Sequence, residues 1–232
     1  MQDELKDWVI NEIETRELKG LCGVADLRKV YNNLIKPQKE EVKKVCSDFA
    51  IDLDNGCVVS IGIALPEHAI ESIDRGWKDY VEEYKRVNEI LNQLASEIAA
   101  KVNGYAVGAT INIGKNFDSV YYRLAILSHV TSAEQAGLGM RGKNNLLVTK
   151  EYGSAVRLAS VITGKNLKRD GVFEEYLCAG CYECLKICQT LNKKNYVEDC
   201  WEIIKLRSEQ LGADVCGLCL KACYENGKWR RL

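Results

Sequence analysis

The sequence has little proline, almost no excess charge of either sign and no long apolar run. Only two prolines occur in 232 residues, which disfavours long disordered linkers. Lys plus Arg number 32 against 33 for Asp plus Glu, so the formal net charge is −1 and no global field attracts nucleic acid or anionic lipid. No apolar stretch approaches a membrane span, and the N-terminus lacks the basic and apolar segments of an export signal.

What is present is the composition of an ordinary soluble globular protein with an unusual cysteine content. Hydrophobic residues make up 47% and charged residues 28%, and the length allows one large domain or two small ones. We expect a cytoplasmic location, where thiols stay reduced. The eleven cysteines therefore indicate metal or redox chemistry rather than disulfides.

The cysteines are distributed unevenly along the chain. Eight of them lie between residues 178 and 223, whereas Cys22, Cys46 and Cys57 occur singly and are predicted to be buried small hydrophobes. This asymmetry predicts two domains, residues 1–167 and 168–232.

The first of these domains alternates helical and β-rich patterns. Apolar positions at helical spacing predict helices over residues 1–20, 27–34 and 77–102. Runs of β-branched and apolar residues predict short strands at 57–63, 105–113, 146–149 and 156–163. Helices that alternate with strands predict an α/β layer domain.

The eight clustered cysteines have the spacing of a bacterial ferredoxin. A run of four, Cys178-x2-Cys181-x2-Cys184-x3-Cys188, is followed by Cys200 and then by Cys216-x2-Cys219-x3-Cys223. A cubane [4Fe-4S] cluster needs four converging thiolates, and two-residue gaps let successive sulfurs wrap one cube. Eight thiols therefore predict two such clusters. Structural zinc fits poorly, because zinc prefers two separated cysteine pairs around one ion.

The two predicted clusters divide the eight cysteines into two sets. In two-cluster ferredoxins the fourth cysteine of the run binds the other cluster. The first thiol group is accordingly predicted to be Cys178, Cys181, Cys184 and Cys223. The second thiol group is predicted to be Cys188, Cys200, Cys216 and Cys219. Each cluster would tie both halves of the small domain together, so that loss of metal should unfold it.

A glycine-rich stretch before the cysteines is the candidate cofactor loop. This glycine loop consists of Gly137, Leu138, Gly139, Met140, Arg141, Gly142, Lys143 and Asn144. Its three glycines would allow a backbone to approach a ligand closely, and Arg141 and Lys143 could meet a phosphate or an amide side arm. The same pattern is also typical of a turn between a helix and a strand, so the residues alone leave ligand binding open.

Taken in order, these motifs resemble the epoxyqueuosine reductase family, which is close in turn to the cobalamin-dependent reductive dehalogenases. The resemblance rests on the glycine loop followed by the eight cysteines. Further family-like segments are residues 23–26, Tyr80-x3-Tyr84-x3-Asn88, 149–154 and 161–163.

The resemblance implies a nitroreductase-like αβα layer domain that holds cobalamin, followed by a small ferredoxin-like domain with two [4Fe-4S] clusters. Electrons would pass through the clusters to cobalt, and the glycine loop would form part of the corrinoid pocket, with Lys143 at the edge of the cofactor. The implied activity is that of an oxidoreductase acting on a small organic substrate. The alternative is a non-enzymatic electron carrier, or a protein that reduces a corrinoid partner.

In the resembled family, an acid upstream of the glycine loop is the catalytic proton donor. An ungapped count back from Gly137 reaches Arg123, and the nearest acid in a matching context is Asp118. His129 lies in the same segment and has an unperturbed pKa of about 6.5. We therefore expect residues 117–134 to supply the donor, with His129 tested before Asp118. The alternative is that His129 only forms hydrogen bonds inside the α/β domain.

The expected partners follow from this chemistry. A low-potential ferredoxin or flavodoxin would supply electrons to the clusters, and a small-molecule substrate or a corrinoid protein would receive them. Neither tRNA nor a membrane is expected, because the net charge is −1 and only a short basic segment, Lys228 to Arg231, follows the last cysteine. A second copy of the chain, in a homodimer, is a further expected partner.

Overall fold

The computed structural model describes residues 2–109, 126–194 and 196–227 and has a mixed α/β fold. The strands are β1 (Gly20–Asp26), β2 (Cys57–Ala64), β3 (Gly104–Val107), β4 (Met140–Arg141), β5 (Leu147–Val148) and β6 (Val156–Thr163). Four of them form one sheet in the order β1-β2-β6-β3, in which every pairing is antiparallel. The other two, β4 and β5, form a short antiparallel hairpin.

The helices surround this sheet and continue beyond it. They are α1 (Gln2–Glu14), α2 (Leu27–Asn32), α3 (Lys36–Asp48), α4 (Glu67–Ser72), α5 (Lys78–Val102), α6 (His129–Gln135), α7 (Glu183–Ile187), α8 (Tyr196–Leu211) and α9 (Leu218–Asn226). Among the residues described, none of these helices combines the length and apolarity that crossing a membrane requires.

The predictions of a strand at 57–63 and of a helix at 77–102 are confirmed by β2, in the centre of the sheet, and by the long helix α5. Every residue of β2 is buried, which explains its continuous apolar run. Helix α5 buries one face, including Tyr80, Leu91 and Ile98, and begins one residue after the predicted start. The predicted strand at 105–113 is observed as β3 up to Val107, and residues 110–113 lie outside the described part.

Helix α3 has no counterpart in the sequence prediction. Pro37 marked the end of the preceding helical pattern, but it occupies the first turn of α3, where its missing N–H leaves no hydrogen bond unmade. The preceding helix α2 already ends at Asn32, so Pro37 marks the start of α3 and does not end α2.

The cysteine-rich region packs against the sheet domain through a shared apolar core. Ala213, Val215 and Leu220 belong to the same buried cluster as Ile73, which follows α4, and Tyr80 in the first turn of α5. This packing positions the C-terminal cysteines beside the long helix.

Candidate redox centre

The first thiol group comes together between the loop before α7 and helix α9. Burial raises the pKa of the Cys184 thiol to about 11, and the neighbouring thiols of Cys223, Cys178 and Cys181 raise it as well. Cys178 and Cys223 also lie in one buried apolar cluster with Leu177. The structure therefore makes neighbours of four thiols that are up to 45 residues apart in the sequence.

The second thiol group lies beside the first. Burial raises the pKa of Cys219, and the thiols of Cys216, Cys188 and Cys200 raise it further. These four residues line a single cavity of about 460 Å³. Cys184 of the first group also raises the pKa of Cys219, so the two groups adjoin.

The thiols are grouped in space, but they do not form a coordination shell for a single ion. None of the eleven cysteines forms a disulfide. Within residues 2–109, 126–194 and 196–227, no three His, Cys, Asp or Glu side chains surround one metal position. The single cysteines Cys46 and Cys57 are buried as predicted, whereas Cys22 is only partly buried.

The cavity of the second thiol group extends to the sheet domain. Tyr80 and Tyr84 of α5, Arg157 of β6 and Trp201 of α8 line it together with the cysteines. The guanidinium of Arg157 lies 4.2 Å from the centre of the Tyr84 ring and donates to Asn88 Oδ1 at 3.0 Å. A cation and two tyrosines therefore face the space that the second thiol group borders.

The glycine loop borders both thiol groups. Lys143 Nζ donates to the carbonyl oxygen of Cys181 at 2.6 Å and lies 3.7 Å from the centre of the Tyr182 ring. Met140 packs against the apolar cluster that contains Cys178 and Cys223. Asn144 lines the cavity of the second group. The structure thus brings the predicted cofactor loop and the predicted metal ligands together.

The glycines of this loop are required by packing within the protein. A Cβ atom at Gly137 would lie 2.5 Å from the carbonyl oxygen of Gly171, and one at Gly142 would lie 2.6 Å from Val148 Cγ2. A Cβ atom at Gly139 would collide with the carbonyl oxygen of Val148. The predicted reason for these glycines is room for a ligand, and the structure shows that neighbouring protein atoms also leave no room for a side chain at these positions.

Replacement of Gly137 by alanine is expected to destabilise the protein by about 2–4 kcal/mol. The residue has φ +76°, which disfavours any side chain, and the added methyl would overlap a backbone oxygen. Gly171→Ala is the matched control, because a Cβ there meets no atom within 4 Å. Urea unfolding of both variants checks the expectation, which equal stabilities would contradict.

A smaller cavity of about 280 Å³ lies beside the glycine loop. Gly139, Met140 and Arg141 line it together with Thr131 and Glu134 of α6. Arg141 Nη2 donates to Thr131 Oγ1 at 2.9 Å, and the Arg141 backbone N–H donates to Glu134 Oε1 at 2.6 Å. This cavity therefore offers polar groups that suit amide or phosphate side arms.

His129 is held by hydrogen bonds on both ring nitrogens. Nε2 lies 2.9 Å from the carbonyl oxygen of Gly108, and Nδ1 lies 2.9 Å from Ser160 Oγ. A carbonyl only accepts, so Nε2 carries the hydrogen and Nδ1 accepts from the serine hydroxyl. In the part of the chain that the structure describes, His129 lines neither cavity.

The surroundings of His129 keep its imidazole neutral. Burial lowers the pKa of His129 to about 4, against the opposing effect of its hydrogen bond to Gly108. The prediction that this residue gives up a proton near neutral pH relied on an unshifted pKa, which the folded protein does not provide. The other candidate donor, Asp118, lies outside the described residues.

The neutral imidazole makes stability dependent on pH. Between about pH 4 and pH 6.5 the unfolded chain binds a proton at His129 that the folded chain does not, so stability rises with pH across this window. This difference in proton binding at His129 changes the free energy of unfolding by at most about 3 kcal/mol, because the ring is partly exposed and solvent screens its charge.

Comparison of the wild type with His129→Gln, which cannot titrate, isolates this effect. The stability advantage of the wild type should shrink as the pH falls from about 8 to about 4. Urea unfolding at each pH measures it, and the difference at about pH 8 is the baseline. An advantage that stays constant over this range would contradict the expected titration.

Sequence reasoning missed several side chains of the site. Arg157, Trp77 and Arg207 surround the second thiol group, yet they belong to no motif. Arg207 follows Cys200 by seven residues on α8, which is two helical turns, and this spacing is the one signal that points to it.

The fold and the candidate site together define the class of protein to which the chain belongs. The chain is a mixed α/β protein in which a cysteine-rich C-terminal region, with two adjoining groups of four thiols, packs against an antiparallel sheet domain and a glycine loop.

Comparison with curated proteins then identifies similar sequences. No family model matches the chain. The epoxyqueuosine reductase of Lactococcus garvieae is 32% identical over 148 residues, which are 59% of this chain and 38% of that protein. The enzyme of the same name from Listeria monocytogenes is 48% identical over 64 residues, 28% of this chain and 17% of that protein. The chain is similar in sequence to the epoxyqueuosine reductases, which confirms the resemblance, and the matched segments span well under half of these relatives.

Solved structures show the same fold. Epoxyqueuosine reductase from Streptococcus thermophilus superposes with a TM-score of 0.55 at 17% identity, over 98% of this chain and 66% of that one. A catabolic reductive dehalogenase in complex with 3-bromo-4-hydroxybenzoic acid superposes with a TM-score of 0.51 at 14% identity, over 74% of this chain and 23% of that one.

Proposed function

We propose that this protein is an oxidoreductase in which low-potential electrons pass through two [4Fe-4S] clusters to a bound cobalamin and reduce a small organic substrate. The observation that carries the proposal is the division of eight thiols into two adjoining groups of four. Their membership matches the ligand sets of a two-cluster ferredoxin. The homology to epoxyqueuosine reductases supports the same chemistry.

The donor set fits two iron–sulfur clusters. Cys178, Cys181, Cys184 and Cys223 would hold the first cluster, and Cys188, Cys200, Cys216 and Cys219 would hold the second. Burial keeps several of these thiols protonated in the protein alone, so each cluster would bind with release of protons. The contact between the two groups would allow an electron to move from one cluster to the other.

The residues around the glycine loop fit the edge of a corrinoid. Arg141, Thr131 and Glu134 present polar groups to the smaller cavity, and Asn144 faces the larger one. Lys143 fixes the loop to the first thiol group through Cys181 and Tyr182, so its role would be to position the loop. Bound cobalamin would supply a strongly reducing cobalt centre when the clusters deliver electrons.

The proton donor belongs to the same proposal. The hydrogen bonds of His129 and its neutral imidazole favour a structural role for this residue. Asp118 is the other residue of the segment 117–134 that the sequence analysis names as a donor, and it would act as the acid. Ser160 and Gly108 would hold His129, and with it the start of α6, in place.

The proposed partners are those that this electron flow requires. A reduced ferredoxin or flavodoxin would donate to the clusters, and the acceptor would be a small molecule. We propose that tRNA is not a substrate, because the net charge of −1 offers no general attraction to phosphates. Salt-sensitive binding of tRNA at submicromolar concentration would overturn this part of the proposal.

An anaerobic titration of the reconstituted protein with cobalamin tests the proposal. We expect the corrin absorption to shift toward the form that lacks its lower base, with saturation near one cobalamin per chain. Arg141→Gln, which removes a polar group from the smaller cavity, should weaken binding at least about tenfold, or by 1.4 kcal/mol. Lys43→Gln on the exposed face of α3 is the control and should bind like the wild type. Intact clusters with no spectral change at saturating cobalamin would contradict the proposal and would favour the alternative function, a non-enzymatic electron carrier.

A further inference from the structure

Two side chains outside the cysteine pattern converge on Cys216 of the second thiol group. Arg207 Nη1 donates to Cys216 Sγ at 2.9 Å. Trp77 Nε1 donates to the carbonyl oxygen of Cys216 at 2.6 Å. The guanidinium of Arg207 lies 4.8 Å from the centre of the Trp77 ring. One ligand is thus held at both its sulfur and its backbone, and the cation that holds the sulfur is itself held by an aromatic ring.

Helix α8 supplies both a thiol and this cation to the same group. Cys200 and Arg207 are two helical turns apart, so they lie on one face of α8. Burial raises the pKa of Cys200 to about 11, and the charge of Arg207 opposes that rise. The field of Arg207 therefore reaches at least two of the four thiols of the second group.

We propose that Arg207 is a positioning residue that raises the reduction potential of the second cluster. The inference rests on the proposed function, since it requires a cluster on the second thiol group. One electron, supplied by the reduced ferredoxin or flavodoxin through the first cluster, would convert the second cluster from the oxidised 2+ to the reduced 1+ state. That step adds one negative charge, and an arginine bonded to a ligand sulfur stabilises the added charge.

The surroundings make this effect larger than it would be in water. Arg207 is partly buried, and the cavity that it lines is bordered mainly by apolar and aromatic side chains. A low local dielectric strengthens a charge-assisted hydrogen bond. Arginine stays charged at every working pH, so the stabilisation does not depend on protonation. Trp77, at the start of α5, ties the cation to the sheet domain.

Redox titration of the full, anaerobically reconstituted chain tests the inference. In Arg207→Gln the equilibrium constant for reduction of the second cluster should fall at least about tenfold, which is 59 mV for a one-electron couple. The first cluster should keep its potential and serve as the internal reference. Electron paramagnetic resonance at each potential distinguishes the two clusters, and the signal lost in Cys200→Ser identifies the second. Arg86→Gln, which removes an exposed arginine paired with Glu83 on α5, should leave both potentials unchanged.

The outcomes separate this inference from the function on which it rests. Wild-type protein without iron–sulfur clusters would overturn both. Two clusters in the wild type with unchanged potentials in Arg207→Gln would overturn the inference alone. Should Arg207→Gln lose its second cluster, Arg207→Lys decides. A second cluster that Arg207→Lys retains near the wild-type potential would support the requirement for a positive charge. Loss of the second cluster in both variants would overturn the inference, because the shape of the arginine side chain and not its charge would then be needed.

Discussion

Replacement of Cys200 by serine is expected to remove the second cluster and leave the first intact. Cys200 is the one predicted ligand that stands apart from both cysteine runs, and it neighbours Cys216 and Cys188 in the structure. A cubane that loses one of four thiolates should be assembled poorly or lost. Iron and sulfide should therefore fall from about eight to about four of each per chain.

The control for this prediction is a cysteine that belongs to neither group. Cys46→Ser changes a buried thiol on α3, and it should leave the iron content at the wild-type level. Iron analysis and electron paramagnetic resonance of both proteins give the answer. Loss of all iron in Cys200→Ser, or equal iron in the two variants, would argue against two separate ligand sets.

Replacement of Lys221 by methionine is expected to destabilise the attachment of helix α9 by about 3 kcal/mol. The side chain is only 9% exposed. Its ammonium donates to the carbonyl oxygens of Ile73 at 2.8 Å and Glu71 at 3.1 Å, and to Asp74 Oδ1 at 2.9 Å. Methionine keeps the length of the side chain and leaves these three acceptors without their donor.

The position of Lys221 extends the expected effect to both predicted clusters. It lies between Cys219 and Cys223 on α9, so this helix carries one predicted ligand of each group. We expect Lys221→Met to release iron from both clusters at a lower urea concentration than the wild type. Lys186→Met removes an exposed lysine that pairs with Glu183 on α7, and should change stability by less than about 0.5 kcal/mol. Identical urea midpoints for the two variants would contradict the role of Lys221.

The sequence predicts the helices and strands that have a strong hydrophobic period, and it predicts cysteine ligands from their spacing. Helix α5 and strand β2 carry continuous patterns, and the structure contains both. The spacing of the cysteine runs predicts two groups of four, and Cys184 and Cys219 each lie near the thiols that this prediction places with them. The period of a helix or a strand depends on residues that are close in the sequence, whereas the predicted cysteine groups join residues up to 45 positions apart.

Contacts between distant segments could not be predicted in the same way. The ammonium of Lys221 meets backbone carbonyls 148 and 150 residues away, and no local pattern marks a carbonyl as an acceptor. The glycines at 137 and 142 show a need for space, but the sequence does not say that protein atoms fill it. The pKa of His129 depends on its burial beside Gly108 and Ser160, which only the folded chain reveals.

Iron, sulfide and zinc analysis of the anaerobically purified, full chain is the measurement that tests the central claim most directly. The claim is that eight cysteines in two groups of four hold two [4Fe-4S] clusters. It predicts about eight iron and eight sulfide per chain with no stoichiometric zinc. Zinc bound at one or two ions per chain, without iron or sulfide, would contradict it.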